Sequence, residues 1–446
     1  MIILKLMLTL LLAMGIQFAF GQKVLTLSLA EATELAERNN WEIQKVEQSM
    51  GIATANLKAA NSVFLPSINL SETYITTSDP LAAFGFKLQQ KNVSAEDFNP
   101  TLMNDPGTIN NFKTRIYAEQ PIINPDGISA RKAASIGVHA AELNIKWSKR
   151  MANLQAKNLY FILHLSYEKK KVLESSLKAT LENYKVANDL YEQDMLHKAD
   201  LLSAKMRLTE IESDIIAIDN QISDINSSFT HFLHLDEGVT IHPIDSISNI
   251  ELENTLLETT EIPMSRADLQ AKYLQTQASD QMVKSSKGSM LPRLNAFGSY
   301  EWNDTGFFGA NANNYLLGAK LEWDIFKGGK NLAKIQKAVY QKKLADIDYE
   351  EGLSASKREL SKVRSGLTLA KKQIDLAVMA TQHAEEAYRV RKDRFKEGME
   401  QTSDLLQAQS NLQSRKISHL QSINTYQQLI FKLELLLDKE ITIKKK

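Results

Sequence analysis

The sequence predicts an α+β protein of two similar halves, each with a pair of strands and a long helical hairpin. Three observations predict it. The same segments occur twice: Trp41-Glu42-Ile43-Gln44 returns as Ala267-Asp268-Leu269-Gln270, and Leu65-Pro66 returns as Leu291-Pro292, both at an offset of 226. Asp189 to Met195, with Asp200-Leu201-Leu202 behind it, returns as Asp393 to Met399 with Asp404-Leu405-Leu406, at an offset of 204. A shared period signals a structural repeat. Second, all nine prolines lie outside 126–242 and 293–446, so helix is permitted along both stretches. Third, a few segments alternate with period two, the signature of strands.

The expected boundaries follow. The first repeat runs over 22–245, with strands at about 64–77 and 111–123 and a helical hairpin at about 128–237. The second runs over 246–446, with strands at about 291–303 and 314–326 and a hairpin at about 329–438. Ahead of both, Lys5 and a mostly apolar run from Leu6 to Phe20 read as a secretory signal at 1–21, and Ala19-Phe20-Gly21 supplies the small residues of a cleavage site. An N-terminal membrane anchor is the alternative, although the run is short for one. The chain has no cysteine, so neither a disulfide framework nor a lipid anchor on a new N-terminus near Gln22 is expected.

In the first strand, Ile68, Leu70 and Tyr74 share a face with Glu72; in the second, Phe112, Thr114, Ile116 and Ala118 alternate with Lys113, Arg115, Tyr117 and Glu119. A polar loop, about 78–110, separates them. In the second half Leu294, Ala296, Gly298, Tyr300 and Trp302 form one face, and Tyr315, Leu317, Ala319, Leu321 and Trp323 form another that is almost wholly apolar. Segments of about ten residues with this alternation fit a transmembrane barrel, with Tyr300, Trp302, Tyr315 and Trp323 as interfacial aromatics. A soluble half-buried sheet alternates in the same way. If the strands do span a membrane, four cannot close a barrel and open edges cannot face lipid, so several protomers must share one.

The helices carry heptad seams. Leu208, Ile211, Ile215, Ile218, Ile222, Ile225, Phe229 and Phe232 are spaced alternately by three and four, as are Ile423, Tyr426, Ile430, Leu433 and Leu437. That is coiled-coil packing or an ordinary bundle core. A helix over 128–192 would be on the order of 100 Å long.

Composition narrows the function. With 53 basic and 53 acidic residues the net charge is zero, and no nucleic-acid partner is indicated. His231 and His234 could share a helix face, but no third ligand is evident, and no phosphate loop or nucleophile elbow appears. No catalytic, cofactor or metal site is therefore expected. The rival reading is a soluble periplasmic coiled-coil adaptor.

With Leu27-Ser28-Leu29-Ala30-Glu31-Ala32, Asn39-Asn40-Trp41-Glu42-Ile43, the two Leu-Pro strand openings, Trp323-Asp324-Ile325-Phe326-Lys327-Gly328-Gly329 and the duplicated Asp-Leu-Leu segments, the chain resembles the TolC family of outer-membrane efflux proteins. The resemblance implies a homotrimer in a Gram-negative outer membrane with a large periplasmic portion. Each protomer would give four strands to a twelve-stranded barrel in outer-membrane lipid and long coiled-coil helices to a periplasmic tunnel. It implies a passive exit duct of tripartite efflux or type I secretion. The partners would be a periplasmic adaptor (a membrane fusion protein) and an inner-membrane transporter, either a resistance-nodulation-division pump or an ATP-driven exporter. The tip turns would lie at 193–199 and 397–403, with Asp194, Met195, Gly398 and Met399 meeting the adaptor. Asp194 where the family commonly has glycine leaves the shape of the first tip open. Asp200 and Asp404 match the acidic positions of the periplasmic gate, and they also suit the first turn of a helix. Glu400 stands where some members have a basic residue, so their closing ion pairs are not implied.

Overall fold

The computed structural model describes residues 23–236, 238–245 and 261–439; the expected signal at 1–21 and the cleavage point near Gln22 lie outside them. In chain order the elements are β1 (Lys23–Leu27), α1 (Leu29–Asn39), α2 (Trp41–Ala60), β2 (Ser67–Thr77), α3 (Pro80–Gln89), α4 (Pro100–Asn104), β3 (Ile109–Ile123), α5 (Pro125–Glu192), α6 (Lys198–Phe232), β4 (Val239–Pro243), α7 (Ala267–Gly288), β5 (Arg293–Asp304), β6 (Ala312–Glu322), α8 (Lys330–Lys396) and α9 (Thr402–Leu437). The protein is mostly helical with a few strands. None of the described helices is long and apolar enough to cross a membrane. Two compact units cut across the halves of the sequence. One takes the chain up to Glu47, Asn144–Ala267 and the chain from Gly352; the other takes Gln48–Leu143 and Asp268–Glu351.

The first unit is organised by its seams. Ile211, Ile218, Ile222 and Phe229 of α6 are buried, and so are Ile423, Tyr426, Ile430, Leu433 and Leu437 of α9. The seam of α6 joins Tyr160, Phe161 and Leu163 of α5, together with Val239 and Ile241 of the short parallel pair β1–β4, in one core. Full burial of such side chains contributes roughly 1.5–3 kcal/mol each. Asp245 ties the chain ends of that pair together, accepting from the Leu29 amide at 2.7 Å and the Tyr160 hydroxyl at 2.8 Å. Deeper between the helices lies a buried polar layer. Asn183 Nδ2 donates to Gln409 Oε1 at 3.1 Å and to the Tyr388 hydroxyl at 3.1 Å, and Gln409 Nε2 donates to Thr180 Oγ1 at 2.5 Å. Gln413 Oε1 accepts from Ser176 Oγ at 3.0 Å and from Arg207 Nη2 at 2.8 Å.

The second unit holds a four-stranded sheet, β2-β3-β5-β6, antiparallel throughout. Pro121 has no N–H to give the ladder, and the register of β3 against β5 shifts between Pro121 and Ile123. The outer strands are shorter than expected. Asn61–Phe64 is a 3₁₀ turn and β2 starts only after Pro66. β6 stops at Glu322, opposite Arg293, because Pro292 cannot extend its partner. The expected loop at 78–110 is itself structured. Asp79 caps α3 ahead of Pro80, Ser94 and Asp97 form a capping box, and Asn99 caps α4 ahead of Pro100, each with a side chain accepting an orphan amide. These short caps were lost in a stretch read only for its polarity. Lys87 pairs with Asp97 at 2.6 Å and, with the Ser94 amide, holds that carboxyl down at about 2.

Close approach positions the sheet on its helices. The end of α7 meets the start of α5: Ser285 Oγ donates to the Asp126 carbonyl at 2.9 Å, and Arg293 pairs with Asp126 at 2.6 Å. A Cβ on Gly288 would stand 2.9 Å from the Asp126 nitrogen, against rigid backbone. Gly288→Val is therefore expected to destabilise by about 1–3 kcal/mol, visible as a lowered thermal midpoint in detergent. In the first unit, burial holds the His164 and His419 imidazoles below the usual histidine range. The folded state keeps them neutral while the unfolded chain takes up protons below about pH 6.5, so stability is full above that pH and falls below it. The double variant His164→Leu, His419→Leu is expected to flatten the acid limb of urea midpoint against pH between about pH 6.5 and 5.

Candidate functional site

Strand register sorts the sheet into two unlike faces. Ile68 pairs with Ala118, Leu70 with Ile116, Ile116 with Tyr300, and Tyr300 with Tyr315, so these side chains line one face. That face is apolar and open: Ile68 is 73% exposed, Tyr315 74%, Leu317 74% and Leu321 68%. Tyr300 and Trp302 pack with their rings tilted 60° and centroids 4.7 Å apart, beside Tyr315. Tyr74 and Phe112, on the faces their alternation gave them, extend the same aromatic band, and Phe307, beyond β5 and outside that alternation, joins it. Trp323 lies at the opposite end, past the end of β6, where its Nε1 donates to the Met290 carbonyl at 2.9 Å. From Tyr315 to Trp323 the chain covers about 26 Å at roughly 3.3 Å per residue. Glu72 is an acidic residue on this face, and its carboxylate accepts from Thr114 Oγ1 and, at 3.3 Å, from the Phe308 amide.

The other face is polar and internally bonded. Lys113 and Arg115 each reach Glu301 at 3.1 Å, Asn295 Nδ2 donates to Glu119 at 2.6 Å, and the Tyr117 hydroxyl donates to Glu119 at 2.9 Å. At one end of it Gln90, just past α3, donates to Asn111 Oδ1 at 2.9 Å, and Asn111 Nδ2 donates to Asn303 Oδ1 at 3.0 Å. Among the described residues, β2 and β6 each leave one edge without a partner.

The two turns in the first unit have one backbone and two chemistries. Asp194 and Gly398 are both left-handed, with φ of 56° and 69°. Each turn closes by the same pair of bonds: Asp194 N to Tyr191 O and Met195 N to Leu190 O in the first, Gly398 N to Phe395 O and Met399 N to Arg394 O in the second. The first turn thus keeps the backbone of the second, because aspartate tolerates the left-handed region better than most residues. The turns are neighbours, with Met195 Cε 3.8 Å from the Cβ position of Gly398; Met195 and Met399 are each 64% exposed.

Asp200 and Asp404 each occupy the third position of a helix, α6 and α9, where a negative charge is favourable. Their surroundings differ. Asp404 lies 3.3 Å from Arg391, which also meets Glu400 at 2.5 Å, while Arg394 meets Glu400 at 3.0 Å. Among the described residues Asp200 has no ion-pair partner. In the first hairpin the positions of Arg391, Arg394 and Glu400 are taken by Ala187, Leu190 and Leu196, all in an apolar cluster with Phe395 and Leu405. The offset of 204 aligns these residues, but only the fold shows that they touch. Across the pair, Lys392 reaches Glu182 at 2.8 Å and holds its carboxyl below the ordinary range. Among the described residues no cluster of His, Cys, Asp or Glu could hold a metal ion.

Residues 261–437 match the model of the outer membrane efflux protein family. The fold extends further. The CmeC outer membrane channel of Campylobacter jejuni superposes with a TM-score of 0.77 over 92% of this chain and 85% of that one, at 16% identity. This is the fold of an outer-membrane efflux channel. VceC of Vibrio cholerae gives a TM-score of 0.76 at 16% identity, over 92% of this chain and 94% of that one. The open state of the MtrE channel of Neisseria gonorrhoeae gives 0.72 at 14%, over 92% and 89%. No match to a curated protein sequence was found. The likeness to the TolC family is borne out by the family match and by these channels together.

The ionic closure of the second hairpin is testable. Glu400→Ala removes both ion pairs of this largely buried carboxylate, leaving Arg391 to Asp404 alone, and is expected to cost about 2 kcal/mol locally. Amide exchange over 397–405 should rise roughly thirtyfold, with 193–201 little changed.

Proposed function

We propose that this chain is the outer-membrane exit duct of an efflux or secretion system, a passive homotrimeric channel gated at its periplasmic tip. The observation that carries it is the sheet: an exposed apolar face banded by aromatics, a bonded polar face behind it, and two open edges. The outer strands β2 and β6 run in opposite directions, so β6 of one copy beside β2 of the next continues the antiparallel order. Three copies close a ring of twelve strands, the apolar face turned to lipid and the polar face to a watery bore. The helical hairpins then supply a periplasmic tunnel, and the exposed Met195 and Met399 offer an adaptor two soft apolar contacts. Energy comes from an inner-membrane transporter, and the duct does no chemistry. A soluble adaptor would not expose so broad an apolar sheet face to water.

The gate reading rests on Asp200 more than Asp404. In a trimer Asp200 becomes a ring of three carboxylates without counter-charge, a device that favours cations, whereas Arg391 balances Asp404. Purified trimer in planar bilayers tests this. Asp200→Ala is expected to raise single-channel conductance and abolish block by a trivalent cobalt ammine, while Asp404→Ala has the smaller effect on block. Unchanged conductance and block in both variants would overturn the gate. A chain that stays in the aqueous fraction without detergent would favour the adaptor.

A further inference from the structure

The helix in the long loop between β2 and β3 presents an apolar stripe with nothing on it. α3 packs on β3 and β6, and Gln90 fastens its end to Asn111, a residue of the polar face. Ala83 and Gln90, about two helical turns apart, are both buried against this support. Two residues along a helix is a turn of about 200°, so Leu81 and Leu88 point away from the sheet; they are 84% and 53% exposed. Gly85 lies between them with no atom within 4 Å of its Cβ position. The stripe carries no charge, and the nearby Lys87 is neutralised by Asp97.

We infer that this stripe is a contact between copies of the chain, in which three α3 helices meet on the threefold axis and stopper the outer mouth of the barrel. The inference rests on the trimeric reading above, and dimensions argue for it. Twelve strands spaced about 4.8 Å and tilted about 40° close a ring roughly 24 Å across between facing backbones. Three helices about 10 Å thick, side by side, need about 22 Å. Helices carried on the polar face therefore have no room to miss one another. The chemistry fits the geometry: uncharged leucines meet without like-charge repulsion, and Gly85 admits close approach.

The absence of cysteine gives a clean background for the test. Leu88→Cys and, separately, Leu81→Cys are introduced into the full chain and oxidised in outer-membrane vesicles, with Leu317→Cys on the apolar sheet face as control. A covalent dimer of this chain as the main product from either α3 position, and none from the control, is the expected result. Native electrophoresis on the same samples separates the two readings. A trimer whose α3 cysteines stay uncrosslinked, whether reactive to soluble maleimide or shielded by lipid or another protein, overturns the stopper and leaves the duct standing. A monomer overturns both.

Discussion

Backbone hydrogen bonding at a sheet edge is the constraint on which the rest depends. In hydrocarbon an unpaired N–H or C=O costs several kcal/mol, and this sheet has a row of them along β2 and another along β6. In the proposed duct its apolar face lies against lipid, where its edges forbid it to stand alone. In that reading assembly is part of the fold's chemistry. The polar face follows from the same constraint: once the ring closes, Lys113, Arg115, Glu119 and Glu301 line an interior, and their mutual bonds keep the charges balanced.

The helical half answers a different demand. In the proposed duct the tip is a gate, which must be stable closed and able to move, so some of its contacts must be replaceable. The two hairpins share a turn geometry down to the individual amide bonds, but one is closed by Ala187, Leu190 and Leu196 and the other by Arg391, Arg394 and Glu400. Apolar contact is insensitive to salt, whereas exposed ion pairs are screened by it. The two hairpins thus keep one turn geometry and differ in chemistry at three aligned positions.

Much of this architecture was legible in the sequence. Heptad spacing located the seams of α6 and α9, and the strands' alternation sorted their faces, because both patterns repeat enough times to stand out. The aromatic pair Tyr300 and Trp302 could be read for the same reason. What could not be read depends on single residues. Three short helices in the loop after β2 rest on individual caps at Asp79, Ser94 and Asn99. The partner of Asp404 comes from thirteen residues upstream on another helix, and neither residue type nor spacing announces it. The first tip could not be judged because aspartate is the borderline case for a left-handed turn.

The buried amides of Asn183 and Gln409 reach further than the hydrogen bonds that they make. Apolar seams are nearly periodic, and leucine or isoleucine one heptad along offers almost the same contact. An amide does not: slide α5 past α9 by two turns and Asn183, Thr180 and Gln409 all face hydrocarbon with nothing to bond. Among many apolar alignments only one is thereby permitted. Inheritance is constrained too, since a change at one of these positions strands the others, and the three can drift only as a set.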